Sequence, residues 1–123
     1  MTILIWILVG IVMLAFLFFG SMKITGQPAA LFKEQKESYF DNYGIGRNQI
    51  RLIGLVEVVS AVLLLFWATQ YGWLSQLSMV ALMCVTVGAM YFHNRYDSLV
   101  KDGLPAIIQF VLNATLLGLT TML

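Results

Sequence analysis

TILIWILVGIVMLAFLFFGS, residues 2 to 21, runs from end to end without a charged side chain. A helix rising 1.5 Å per residue needs roughly 20 such residues to cross a ~30 Å hydrocarbon core. The stretch is long enough to span. It has no basic n-region, its apolar run is too long, and no clean small-x-small site follows it. It therefore reads as a retained first span and not as a cleaved signal. Lys23, just beyond, is placed like the flank of a stop-transfer segment.

Working outward, the pattern recurs three times. Leu52 to Tyr71 is apolar apart from Glu57, Leu74 to Phe92 carries no charge, and Leu104 onward is uncharged, diluted by Gln109 and Asn113. Of 123 residues, 60% are hydrophobic and 11% charged, where a soluble domain carries about a quarter charged residues to cover its surface. The expectation is an all-α integral membrane four-helix bundle. It forms a single transmembrane domain, 1-123, with spans near 2-21, 50-70, 73-92 and 104-122.

The connections orient the bundle. Ala68 to Trp73 is short and uncharged, with Trp67, Tyr71 and Trp73 clustered as aromatics are at a membrane–water interface. Spans two and three thus form an antiparallel hairpin. All seven basic residues lie on the opposite side: Lys23, Lys33, Lys36, Arg47 and Arg51 around the long first connection, and Arg95 and Lys101 in the third. The positive-inside rule puts both charged loops in the cytoplasm and both termini outside.

The long connection is more than a tether. Pro28 suits a first helical turn. Leu31, Phe32, Gln35, Tyr39 and Phe40 fall on one face, and Lys33, Glu34, Lys36 and Glu37 mostly on the other. This predicts a short amphipathic interfacial helix between spans 1 and 2, lying on the lipid bilayer. Asn42-Tyr-Gly-Ile-Gly46 supplies the turn that follows.

Glu57 carries the most chemical information. A charge at a helix centre costs roughly 2.5–3.5 kcal/mol, so an intramembrane carboxylate faces inward and finds a partner. Gly54, Ser60 and Ala61 on its face are small enough for close helix approach. Lys23 or His93 is the expected counter-charge. Behind His93 run Ala89, Thr86, Leu82, Ser78 and Ser75, a small and polar stripe at helical spacing. Gln109 and Asn113, four apart, share a face that Thr120 continues. These groups describe a polar pocket with Glu57 at its floor and Lys23, His93, Gln109 and Asn113 as ligand-binding candidates. The bland alternatives are an interfacial histidine, a snorkelling lysine and interhelical amide glue.

Other chemistries are excluded. One histidine gives neither bis-histidine haem nor a copper centre, and no cluster has metal-ligand spacing. Cys84 is the only cysteine, so dithiol exchange is impossible within the chain, and it reads as a packing residue. Gly44-x-Gly46 follows no strand and is not a dinucleotide fingerprint. A net charge of +1 offers no nucleic-acid surface.

Phe19-Gly-Ser-Met-Lys-Ile-Thr-Gly26, Arg51-Leu-Ile-Gly-Leu-Val-Glu-Val-Val-Ser-Ala61 and His93 at the end of the third span resemble the DoxX-like family of small four-helix membrane proteins. The likeness covers nearly the whole chain in layout. Its motifs are short and built from common membrane residues. Lys23, Gly54 and Glu57 are the positions that match the family. The resemblance implies a non-catalytic subunit or partner of a quinone-linked oxidoreductase. It allows a quinone as the cofactor, although no cofactor follows from the residues themselves. Its other implication is an assembly factor or chaperone for membrane proteins. A small proton-coupled transporter is a third reading, drawn from the single membrane carboxylate. The small bundle favours a homo-oligomer or a complex with another membrane protein.

Overall fold

The protein is described here by a computed structural model covering residues 1–122. Helix α1 spans Thr2–Thr25, 24 residues or about 36 Å. Helix α2 is a continuous run, 29–43, made of the α-helical segment Ala29–Gln35, a π-helical turn Lys36–Phe40 and a last α-turn Asp41–Tyr43. Helix α3 spans Arg47–Leu63 and tightens into a 3-10 stretch, Leu64–Ala68. Helices α4 and α5 are Gly72–Tyr96 and Leu104–Thr121. Four of them, α1, α3, α4 and α5, are long and apolar enough to cross a membrane. No strand occurs among the described residues. In hydrocarbon every backbone group must bond within the chain, and helices do this segment by segment.

The four long helices form a ring in the order α1, α3, α4, α5, with α1 closest to α3 and α4 to α5. The α1–α5 seam is the thinnest of the four. The four-helix bundle anticipated from the apolar runs is thus the observed fold. Its interior is divided along its length. The terminal half is apolar and closely filled, by Ile5, Val9, Val12, Phe16, Ala61, Leu64, Met79, Leu82 and Leu116. The other half, toward the charged loops, contains Lys23, Glu57 and open space.

The polar stripe of α4 is buried as its spacing predicts, yet it forms no channel. Ser75, Ser78 and Thr86 each donate to a carbonyl of their own helix, at 2.8, 2.9 and 2.8 Å. At the terminal end, Tyr71 and Trp73 stay exposed. Trp67 instead turns inward, edge-on to Trp6 with centroids 5.2 Å apart.

Helix α2 lies across the charged-loop end. Leu31, Phe32, Gln35, Tyr39, Phe40 and Tyr43 are half-buried, whereas Lys33, Glu34 and Glu37 are exposed. Lys36 departs from the expected solvent face. It is half-buried, and its Nζ donates to Asp41 at 2.9 Å. Asp41 lies five residues on, which is the repeat of a π-helical turn.

Candidate functional site

The site starts from two glycines. A methyl group on Gly54 would stand 2.5 Å from the Gly20 carbonyl oxygen and 2.8 Å from Lys23 Cβ. One on Gly20 would stand 2.9 Å from the Gly54 carbonyl oxygen. Only hydrogen fits at this crossing, so α1 and α3 meet backbone to backbone, as small-residue interfaces permit. Three residues beyond each glycine, on the same faces, stand Lys23 and Glu57. The crossing brings them together, and Lys23 Nζ donates to Glu57 Oε1. The Glu57 side chain is 2% exposed and that of Lys23 14%.

Arg47 fixes this geometry from outside. Its guanidinium donates to the carbonyls of Lys23 and Ile24, the second at 3.0 Å, and lies 4.6 Å from the Phe32 ring centroid. Those carbonyls belong to the last turn of α1 and have no partner within the helix. One side chain from the start of α3 thus closes the end of α1 and holds α2 beside it.

Two adjoining chambers open next to the ion pair. The inner, about 150 Å³, is bordered by Glu57, Thr86 and Gln109. The outer, about 400 Å³, is walled by Phe19, Phe40, Phe92 and Tyr43 and roofed by α2. Lys23, Phe19, Val85, Ala89, Pro105 and Ala106 border both. Cys84, expected as a packing residue, is exposed along the outer chamber.

A second polar cluster sits at the mouth. Tyr43 Oη donates to Asp97 Oδ2 at 2.5 Å, and His93 Nδ1 lies 2.8 Å from Asp97 Oδ1 and 2.9 Å from Tyr43 Oη. Tyr39 Oη donates to Asp102 Oδ1 at 3.3 Å. Tyr43 stacks on Phe92, and the Tyr39 ring meets His93 edge-on. Burial, then the bond to Asp97, pushes the Tyr43 hydroxyl far above the usual phenol range. Burial alone would raise the Asp97 carboxyl. The bonds from Tyr43 and His93 outweigh it and hold the carboxyl below its ordinary value. At neutral pH Tyr43 is therefore a hydroxyl donor and Asp97 an anionic acceptor.

The sequence candidates separate accordingly. Lys23, not His93, is the partner of Glu57, because the Gly20–Gly54 crossing aims it there. His93 is engaged by Asp97 one turn along its own helix. Gln109 borders the inner chamber, where its buried Oε1 has no protein partner. Asn113 borders neither chamber. It is fully buried and donates to the Gln109 carbonyl at 2.8 Å, leaving its own Oδ1 unbonded. Thr120 donates to the Leu116 carbonyl at 2.8 Å and lies 3.8 Å from Met79 Sδ. Sequence reasoning missed Tyr43, Asp97 and Arg47 as site residues. The four-residue spacing of His93 and Asp97 was a readable signal, whereas the position of Tyr43 depends on how α2 folds back.

Four apolar helices around a buried ion pair define a multi-pass membrane protein. The chain belongs to the DoxX-like family, whose family model matches residues 7–118. No curated protein and no solved structure matches the chain.

Proposed function

We propose that this protein is a non-catalytic subunit or partner of a quinone-linked oxidoreductase complex in a bacterial inner membrane, binding a quinone head group in the outer chamber. Its charged loops and α2 face the cytoplasm, and both termini lie outside. The observation that carries the reading is the aromatic-walled chamber of about 400 Å³ with Lys23 at its inner end. Small-molecule sites take roughly 300–1,000 Å³, mostly apolar with a few convergent polar groups. A quinone ring is flat and apolar with carbonyl acceptors at its edge. Phe19, Phe40 and Phe92 suit its faces, and Lys23 retains N–H donors beyond the one given to Glu57. The non-catalytic part of the reading rests on a lone cysteine, which leaves the chain without a redox couple of its own.

Ligand binding to the folded state alone raises its stability. A short-tailed benzoquinone is therefore expected to raise the melting temperature of the protein in nanodiscs. Gly88→Trp, which places a large ring at the chamber wall, is expected to remove that shift. A wild-type melting temperature indifferent to saturating quinone would overturn the reading.

A further inference from the structure

We infer that His93 is the specificity-determining residue of the outer chamber, presenting Nε2 as an acceptor that selects ring ligands bearing a hydroxyl, a phenol or hydroquinone, over their carbonyl counterparts. The inference rests on the proposed binding of a ring in this chamber and adds which form of the ring it takes.

The proton inventory at the mouth leads there. Asp97 is an anionic carboxylate and can only accept. The single Tyr43 hydroxyl proton is spent on Asp97 Oδ2. The contact between His93 Nδ1 and Asp97 Oδ1, 2.8 Å, therefore needs its proton on Nδ1. With the ring neutral and Nδ1 donating, Nε2 keeps a lone pair; a protonated ring would donate from both nitrogens. Nε2 has no protein partner among the described residues, and it is not among the side-chain atoms sealed from solvent without one. His93 lines the outer chamber. Nε2 is therefore unsealed on a residue that borders the chamber, and Asp97 and Tyr43 act as positioning residues that set its tautomer.

The two polar ends of the chamber are then unlike. Lys23 offers donors at the inner end and His93 an acceptor at the mouth. A hydroxyl both donates and accepts, so a hydroquinone suits either end. A quinone has acceptors only and meets the His93 lone pair with a carbonyl lone pair. One well-placed hydrogen bond separates the two forms, equivalent to about tenfold in affinity.

The test is anaerobic binding of a short-tailed benzoquinone, its hydroquinone and the dimethyl ether of that hydroquinone to the protein in nanodiscs, with the His93 ring nitrogens followed by NMR. The expected result is hydroquinone about tenfold tighter than quinone, with the dimethyl ether weaker than the hydroquinone. His93→Phe should bring hydroquinone down to the level of quinone. Asp97→Asn should reduce the preference while shifting the proton from Nδ1 toward Nε2. Should wild type bind both forms equally, or the quinone tighter, the inference falls while the proposed quinone site stands. Should neither form bind, both fall. A wild-type Nε2 that carries the proton would also overturn the inference, and this readout needs no variant to fold.

Discussion

Lys23 and Glu57 form an ion pair across the α1–α3 crossing, and the pair depends on the absence of side chains at Gly20 and Gly54. Glu57 is the only buried charged residue among those described, at 1% exposure. The two partners are not equally trapped. Glu57 is sealed, whereas Lys23 has a long stem near the end of α1 and is partly exposed.

That asymmetry sets the first prediction. Lys23→Met strands a buried carboxylate and should cost about 3–5 kcal/mol. Glu57→Gln leaves a lysine that can reach toward the interface, and should cost well under that. The double variant Lys23→Met/Glu57→Met should recover most of the loss, since apolar pairs replace buried ion pairs at little cost. Unfolding in detergent measures all three. Additive losses in the double variant would rule out the coupled pair.

Gly54→Ala should destabilise the bundle by about 1–3 kcal/mol, as overpacking does. Its new methyl group would lie 2.5 Å from a backbone oxygen that cannot move alone. Gly10→Ala is the internal control. No neighbour lies within 4 Å of a methyl group there, and replacing a mid-helix glycine stabilises by roughly 0.5–1 kcal/mol. Thermal melts of the two variants should move in opposite directions.

Arg47→Met removes charged hydrogen bonds to the Lys23 and Ile24 carbonyls and exchanges the guanidinium over Phe32 for a thioether. A hydrogen bond to a charged group contributes about 1.5–3 kcal/mol. The expected result is faster hydrogen exchange in the last turn of α1 and in α2, with α4 and α5 unchanged. Uniform acceleration along the chain would contradict a local role.

The attachment of α2 through Tyr43 and Asp97 should be pH-dependent at both extremes. Asp97 is held below its ordinary value of 3.8, so its contribution is present above that value and lost as pH falls through the depressed one. Tyr43 is raised from 10.0, so its contribution is complete below 10.0 and lost as pH climbs toward the raised value. Protection of α2 amides, with the intrinsic pH dependence of exchange divided out, should therefore be greatest between these limits. Asp97→Asn should flatten the acid limb, and an unchanged acid limb would contradict the assignment.

The spans were legible because lipid imposes a single requirement, a long uncharged helix, that composition displays directly. Glu57 was legible for the same reason, as the one carboxylate inside such a run. The choice between Lys23 and His93 as its partner was not. It depends on the rotation of α1 against α3, which the Gly20–Gly54 crossing sets and hydropathy does not encode. The amphipathic face of α2 was readable, but not that Tyr43 would reach His93 and Asp97. That contact needs the chain to turn back across the bundle mouth, with sequence separations of 50 and 54 residues. Asn113 shows the converse limit. Its spacing from Gln109 placed it on the same face, yet a turn farther along that face the helices close and the chamber ends.

The most direct test of the account is photo-crosslinking with a short-tailed azido-benzoquinone in nanodiscs, read by mass spectrometry of the labelled peptides. The chamber predicts labels on Phe19, Tyr39 and Phe92, competed by excess unlabelled ligand. Labels confined to the exposed outer faces, such as Leu14, Leu55 and Val111, with no competition, would show only partition into lipid and would contradict the proposed site.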